Sequence, residues 1–476
     1  MSSEATQAAA QAPAGAPLAP KIYSPRRTGW AVFLLAVILA NNFSDRAVLN
    51  ILAQPIEAEL HITDTQFGFL TGLAFATFYA IFGYPLAHLA GRYGRINVIT
   101  VCALMWSAMA AACGLAANYV QLMLFRFGVG IGESGLGAPG HAIIADYVRP
   151  ERRTSTISLF MVGVPIGVLG GSIAGGWVAQ HFGWRAAFVF VALPGFLLAP
   201  LLKLTVQEPP KGNWDASRLA GKAPEATPPI WEVLKKQFST ATSRHFAIGT
   251  SITVFAGSGS AFLGAYFVRR FGVDYATLGL IVGGIGGISG VTGMMLGGFL
   301  TDWAAKWSTR WYARIPAIAL VCAAPMYLLA YLQNDWRAQA AILIVSGTLA
   351  AMAPIPYYGV TQNLVPGRMR APAAAVVFFL VNFVGLGLGP VFYGMAIDWA
   401  TQHFFAASAL GDYFVACGKG GRGAIGAAAA PCHAALASGT RWALACGFVG
   451  FLWAAVHYAI AARTVREDLI EAEKTN

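Results

Sequence analysis

Four residues in this chain could do chemistry that their surroundings otherwise forbid. The stretch Leu124-Phe125-Arg126-Phe127-Gly128-Val129-Gly130-Ile131-Gly132-Glu133 sets an arginine and a glutamate seven residues apart in an apolar run, and an earlier apolar run holds the pair Asp45-Arg46. A charge at the centre of a bilayer costs roughly 2.5–3.5 kcal/mol by insertion scales, so it faces a partner or a cavity. Seven residues are two helical turns, about 10 Å along one face, too far for Arg126 to reach Glu133 within one helix. Each needs a partner from another helix, and Asp45 and Arg46 lie at similar depth. The expected cluster is Asp45, Arg46, Arg126 and Glu133.

Two acids and two arginines neutralise one another when such a site is empty. An arriving anionic headgroup competes for the guanidinium groups, which bind phosphate in a bidentate, charge-assisted way. The acid released tends to take up a proton in a low-dielectric cavity. On this reading Arg46 and Arg126 hold the headgroup, while Glu133 and Asp45 exchange the proton that links binding to helix movement. The alternative is a permanent salt-bridge knot that holds the helices together.

The elements that position these residues are membrane helices. The chain of 476 residues is 57% hydrophobic and 11% charged, where an ordinary soluble domain carries about 25% charged residues. Windows of about twenty apolar residues predict twelve spans, near 29–56, 64–90, 96–116, 119–146, 155–180, 184–205, 246–269, 275–301, 312–333, 338–364, 370–398 and 441–463. The predicted fold is an all-α polytopic membrane protein of two six-helix bundles, 29–205 and 246–463, with tails at 1–28 and 464–476. The linker at 206–245 is rich in Lys, Pro and Gly, and Ile230, Val233, Leu234 and Phe238 within it sit at the spacing of an amphipathic helix on a membrane surface. A long outer loop is expected at 399–440.

Basic residues concentrate in alternate loops, among them Arg26, Arg27, Arg92, Arg95, Arg149, Arg152, Arg153 and Arg314, whereas the other side has few, such as Arg185, Arg269, Arg270 and Arg337. By the positive-inside rule both termini are cytoplasmic. The same scatter excludes a nucleic-acid face for the net charge of +11 and leaves anionic membrane lipids as its partner. Short tails and Ala/Gly-rich spans lean towards a bacterial inner membrane.

Cys102, Cys113, Cys322 and Cys446 fall in apolar spans as small hydrophobes, while Cys417 and Cys432 share the long outer loop, where a disulfide can form. Gly418 to Gly423 fits G-x-G-x-x-G without a preceding strand and reads as a flexible loop. No Ser/His/Asp set, metal cluster or nucleotide loop stands in a favourable context, so no catalytic residue, metal or cofactor is expected. The second half is poor in buried charge but holds Phe255, Phe262, Tyr266, Tyr357, Tyr358, Phe379, Asn382 and Phe383. These either line a cavity for a hydrocarbon tail or pack as ordinary membrane aromatics.

The halves repeat faintly. GHAIIADYVRPERRTSTISLF at 140–160 has a counterpart in YGVTQNLVPGRMRAPAAAVVF at 358–378, and Asp64 opening the second span is matched by Asp274 opening the eighth. Together with further motifs this resembles the major facilitator superfamily over about residues 29 to 463. Its loop motif G-x-L-x-D-R-x-G-R is recognisable in Leu89-Ala90-Gly91-Arg92-Tyr93-Gly94-Arg95, with Ala87 where the first Gly is expected and Gly91 in place of the Asp, and is met more fully by Gly298-Phe299-Leu300-Thr301-Asp302. The fourth-span pattern is met by Arg126 and Gly130, the fifth by Gly163-Val164-Pro165-Ile166-Gly167. The resemblance implies a monomeric transporter whose cytoplasmic gate uses Arg92, Arg95 and Asp302.

Within that superfamily Asp45-Arg46, the run from Leu60 to Gly68 and Glu133 resemble Spinster-type transporters of sphingosine-1-phosphate and lysophospholipids. This implies a proton-coupled carrier of an amphipathic lipid. The competing readings are a proton-coupled exporter of drugs or small organic anions and, from another class, a non-transporting lipid sensor.

Overall fold

The computed structural model describes residues 20–214, 229–366, 369–408, 410–419 and 426–475, and among them there is no strand. The first span starts where Ser24 accepts the Arg27 N–H and Pro25 takes the first helical position. It runs as Pro25–Ile51, breaks at Leu52, and continues as Ala53–Leu60 until His61 turns left-handed at φ 52°. The second opens with a reciprocal cap between Thr63 and Gln66. It runs as Asp64–Thr71 and, after a break at Gly72, as Leu73–Tyr93.

The third span is Arg95–Cys113 and the fourth is Tyr119–Ser134 followed by Gly137–Tyr147. The fifth and sixth share one unbroken assignment, Gly163–Thr205, preceded by Arg153–Met161; the chain reverses within it at Gly183, whose φ of 84° suits glycine. The second half comprises Ala241–Gly257 with Leu263–Phe271, Tyr275–Ala305, Trp311–Leu332, Trp336–Met352 with Ile355–Asn363, Arg370–Asn382 with Gly389–Ala406, and Ala429–Ala445 with Gly447–Thr475. A π-helical turn, Phe383–Leu388, joins the two parts of the eleventh span. Among the described residues ten stretches are long and apolar enough to cross a membrane. One of them, Ser155–Thr205, is two spans joined at Gly183, and the broken fourth span completes twelve.

Several boundaries are corrected. The eleventh span continues to Ala406 and the twelfth begins at Ala429, so the loop expected at 399–440 shrinks to 407–428. Cys417 and Cys432, in and beside it, are bonded to each other. The glycine-rich motif from Gly418 lies largely outside the described residues, as does much of the N-terminal tail. The linker helix is Ile230–Gln237, and its Val233 is buried against Val365, Met369 and Ala373, so it docks on protein through that residue.

Lys21, just before the first span, donates to Asn213 of the linker, and Asp468 near the end of the last helix accepts the Thr242 N–H just beyond the linker helix; this linker side is the terminal face of the bundle and the opposite side its far face. The two halves touch closely near the far face and part towards the terminal face, and glycines record the gradient. A β-carbon at Gly279 on the eighth span would collide with the Ser172 carbonyl of the fifth; at Gly283 it would stand 3.0 Å from the Leu169 carbonyl, at Gly290 3.8 Å from Pro165, and at Gly298 it would meet nothing within 4 Å. The second and eleventh spans behave alike, with Gly68 and Gly72 pressed on Pro390 and Gly387 while Gly83 and Gly91 meet nothing within 4 Å. Small residues let the backbones approach where the halves join.

Candidate functional site

Arg46 and Arg126 both approach the Phe75 ring, and Glu133 joins them through Arg46. Arg46 of the first span reaches Glu133 of the fourth, Nη2 to Oε2 at 2.5 Å and Nε to Oε2 at 2.7 Å. Its guanidinium lies 4.3 Å from the Phe75 ring centre and 4.8 Å from that of Phe43. The Arg126 guanidinium stands 5.4 Å from the centre of the same Phe75 ring. Gly130, one turn further along the fourth span, makes room, since a β-carbon there would come within 3.0 Å of the Phe75 carbonyl.

Pairing is incomplete in this cluster. Arg126 is buried, makes no ion pair among the described residues, and its Nε has no partner. Asp45 is 1% exposed with neither carboxylate oxygen hydrogen-bonded, and Glu133 leaves Oε1 unpaired. Asp45 is nonetheless within electrostatic reach of Arg46, Arg126 and Glu133. A buried polar group left without a partner costs about 1–3 kcal/mol, and more when charged. Asp45, Arg126 and Glu133 thus each hold a buried polar atom without a partner within one cluster.

The aromatic residues of the second half divide. Phe262, Tyr266 and Tyr357 have no exposed surface. Tyr266 donates to Gln339 at 3.1 Å and Tyr357 stacks on Phe246 at 5.7 Å, so these three are packing residues of their own bundle, which corrects their expected place along a cavity. Phe255, Tyr358, Asn382 and Phe383 are partly exposed and Phe379 is 51% exposed. Phe379 and Phe383 stack 5.6 Å apart just before and at the start of the π-helical turn.

A second charged cluster closes the far face. Arg269, at the end of the seventh span, meets Glu57 at 2.5 Å and Asp64 at 2.8 Å, and donates to Gln54 and Thr440. Glu57, Asp64 and Gln54 belong to the first half and Arg269 to the second, so these bonds cross the molecule. Asp398 of the eleventh span adds to them by accepting the Asp64 and Thr65 N–H groups at 3.2 and 2.9 Å, which caps the start of the second span from the other half. Tyr275 N–H donates to Gln180 at 2.9 Å, a further link.

Sequence reading missed this latch. It treated Arg269 as an ordinary loop arginine and Asp64 as the equivalent of Asp274. Asp274 is a plain cap whose exposed carboxyl, accepting the Thr277 N–H, is held below the ordinary carboxylate range. Asp64 follows the capping residue Thr63 and turns to Arg269. The signal available was an acid cluster, Glu57, Glu59 and Asp64, close to the end of one span, with nothing to say which arginine met it.

At the terminal face Arg95 forms a network inside the first half. It pairs with Asp146 at 2.5 Å and Glu208 at 3.2 Å, and donates to the Pro209 carbonyl at 2.7 Å. Asn213 ties the linker to both Asp146 and Lys21. Arg92 and Asp302, the other expected gate residues, are exposed, and among the described residues no ion pair joins Asp302 to Arg92 or Arg95.

Two six-helix halves joined at one face, parted at the other, with buried charge between the spans, define a membrane transporter. The chain belongs to the Major Facilitator Superfamily, whose model matches residues 34–390. It is similar to a bacterial homolog of the human lysosomal transporter Spinster solved in an inward-facing, unoccupied conformation, with TM-score 0.82 and 29% identity over 94% of this chain and 99% of that one. Among curated proteins it is 30% identical to an MFS-type efflux pump of Mycolicibacterium smegmatis over 82% of this chain and 89% of that protein. It is 27% identical to a hexuronate transporter of Bacillus subtilis over 77% and 86% of the two.

Proposed function

We propose that this transporter carries an amphipathic anion with a phosphate-type head, such as a lysophospholipid or sphingosine-1-phosphate, by proton-coupled alternating access. The terminal face is cytoplasmic in this reading, and the structure is the inward-facing state. The observation that carries it is Arg126: a buried guanidinium with no ion pair, beside an Arg46 already committed to Glu133. An anionic head fits between the two arginines and competes with Glu133 for Arg46. Glu133 and Asp45 then take up a proton, and loss of the proton restores the Arg46–Glu133 pair as the head leaves.

The tail lies along Phe255, Tyr358, Asn382 and the stacked Phe379 and Phe383, on the face of the second half that the parted bundles leave open. Membrane lipids can reach it from the side. The test is uptake into proteoliposomes of labelled lysophospholipid and sphingosine-1-phosphate, with and without a pH gradient. Gradient-dependent lipid flux supports the reading, and its absence for every phosphorylated lipid overturns it. A second reading, export of small organic anions or drugs, is favoured by the efflux pump and the hexuronate carrier among the relatives; it predicts flux of a soluble anion under the same gradient and none of the lipid.

A further inference from the structure

The short helix Tyr413–Cys417, between the eleventh and twelfth spans, has no role in the site described above. Asp412 caps it by accepting the Val415 N–H at 3.1 Å, and its last residue is bonded to Cys432 on the twelfth span. Tyr413, at its first position, is 3% exposed and packs edge-on against Phe405 at the end of the eleventh span, ring centres 5.4 Å apart. Phe405, Tyr413, Cys417, Cys432 and Ala435 form one small apolar cluster.

Two further facts connect this cluster to the latch beneath it. The Tyr413 hydroxyl is buried without a hydrogen-bond partner, and it lies within electrostatic reach of Arg269, Asp64, Asp398 and Glu57. The twelfth span carries both Cys432, which anchors the short helix, and Thr440, which accepts from Arg269 at 2.8 Å. Lid and latch therefore hang from the same span, eight residues apart. A buried aromatic cluster packed on the same span as an ion-pair network keeps water from the charges and so strengthens their attraction.

We propose that Tyr413 is a gating residue of the transport cycle, held by the Cys417–Cys432 bond as a lid on the Arg269 latch, so that the far face opens only when lid and latch leave together. The proposal rests on the alternating-access reading. Its hydroxyl is placed to take up one of the latch carboxylates as the ion pairs separate.

The experiment is hydrogen–deuterium exchange of the full chain in lipid nanodiscs, compared among wild type, Tyr413→Ala, Tyr413→Phe and the double variant Cys417→Ser/Cys432→Ser. Backbone exchange is read in peptides covering residues 60–72 and 388–402, which hold the latch, with residues 95–113 as an internal reference. Tyr413→Ala and the double serine variant are expected to raise exchange in both latch peptides several-fold and to leave the reference unchanged. Tyr413→Phe keeps the ring and separates its shielding from the hydroxyl: exchange like that of Tyr413→Ala assigns the effect to the hydroxyl, and exchange like wild type assigns it to the ring. Increased exchange confined to residues 410–417, or no change in either variant, overturns the proposal. A wild type that transports nothing would sink the functional reading while leaving this comparison intact.

Discussion

Arg269 and Glu57 meet at 2.5 Å across the boundary between the two halves, with both side chains buried. No other ion pair among the described residues joins first and second halves with so little solvent around it. Removing one partner of a buried ion pair leaves the other charged and alone, which costs about 3–5 kcal/mol. Glu57 and Asp64 would then repel each other. Arg269→Ala is expected to release the far face, detected as a lower midpoint in thermal unfolding and as increased solvent access to residues 60–72. An unchanged midpoint together with unchanged access would count against a latch.

Glu133 is the acid whose partner an anionic ligand displaces. Glu133→Gln keeps the shape and the hydrogen-bonding capacity but cannot lose a proton. Binding of a phosphorylated lipid should persist in this variant, measured by scintillation proximity, while gradient-driven uptake into proteoliposomes falls at least tenfold. Normal gradient-driven uptake by the glutamine variant would remove Glu133 from the coupling step.

Arg126 distinguishes a headgroup site from a structural knot. Charge-assisted hydrogen bonds are worth about 1.5–3 kcal/mol each, or roughly 10- to 150-fold in affinity. Arg126→Ala should weaken a phosphorylated lipid by a factor in that range and leave its dephosphorylated analogue within about two-fold. Equal weakening of both ligands would mean that Arg126 only holds the helices in place.

Glycine packing sets how tightly the far face closes. Gly279 and Gly176 face each other across the eighth and fifth spans, and a β-carbon at either meets backbone of the other half. Gly279→Ala should hold these spans apart and shift the resting population away from the state described here. Distances between probes on the far-face ends of the two halves, measured by pulsed electron resonance, should lengthen. A distribution identical to wild type would show that the interface absorbs the methyl group by local adjustment.

Arg95 is buried among Asp146, Glu208 and the start of the linker, all in the first half. Arg95→Ala should lower the unfolding midpoint, since two carboxylates lose their cation, whereas the exposed Arg92→Ala should change it little. Matching effects of the two substitutions would assign both arginines to the same gate.

Much of the architecture was legible because hydrocarbon imposes a simple pattern: long apolar runs, basic alternate loops and glycine where helices cross. The Asp45, Arg46, Arg126 and Glu133 cluster was legible for the same reason, since charges in apolar runs have few places to go. Two things were not. The outer ends of the eleventh and twelfth spans extend beyond their apolar cores, through Gln402, His403 and Thr440, and hydropathy alone ends the eleventh too early and starts the twelfth too late. Partners on the far face were hidden because loop-adjacent residues such as Arg269 and Glu57 carry no periodic signal, and their meeting depends on how the two bundles tilt. The aromatic residues of the second half show the same limit. Phe262 and Tyr266 share a composition with Phe379 and Phe383, and only packing tells which pair is sealed inside the bundle.

The linker between the halves is owned at each end by a different half. Glu208, Pro209 and Asn213 are bonded into the first, and Val233 is seated on the second. In sequence these moorings are separated by the nineteen residues 214 to 232. The linker thus holds each half by a mooring of its own. A cut made within it would leave each half with its own mooring in place, so that the two should find one another in the membrane as separate chains.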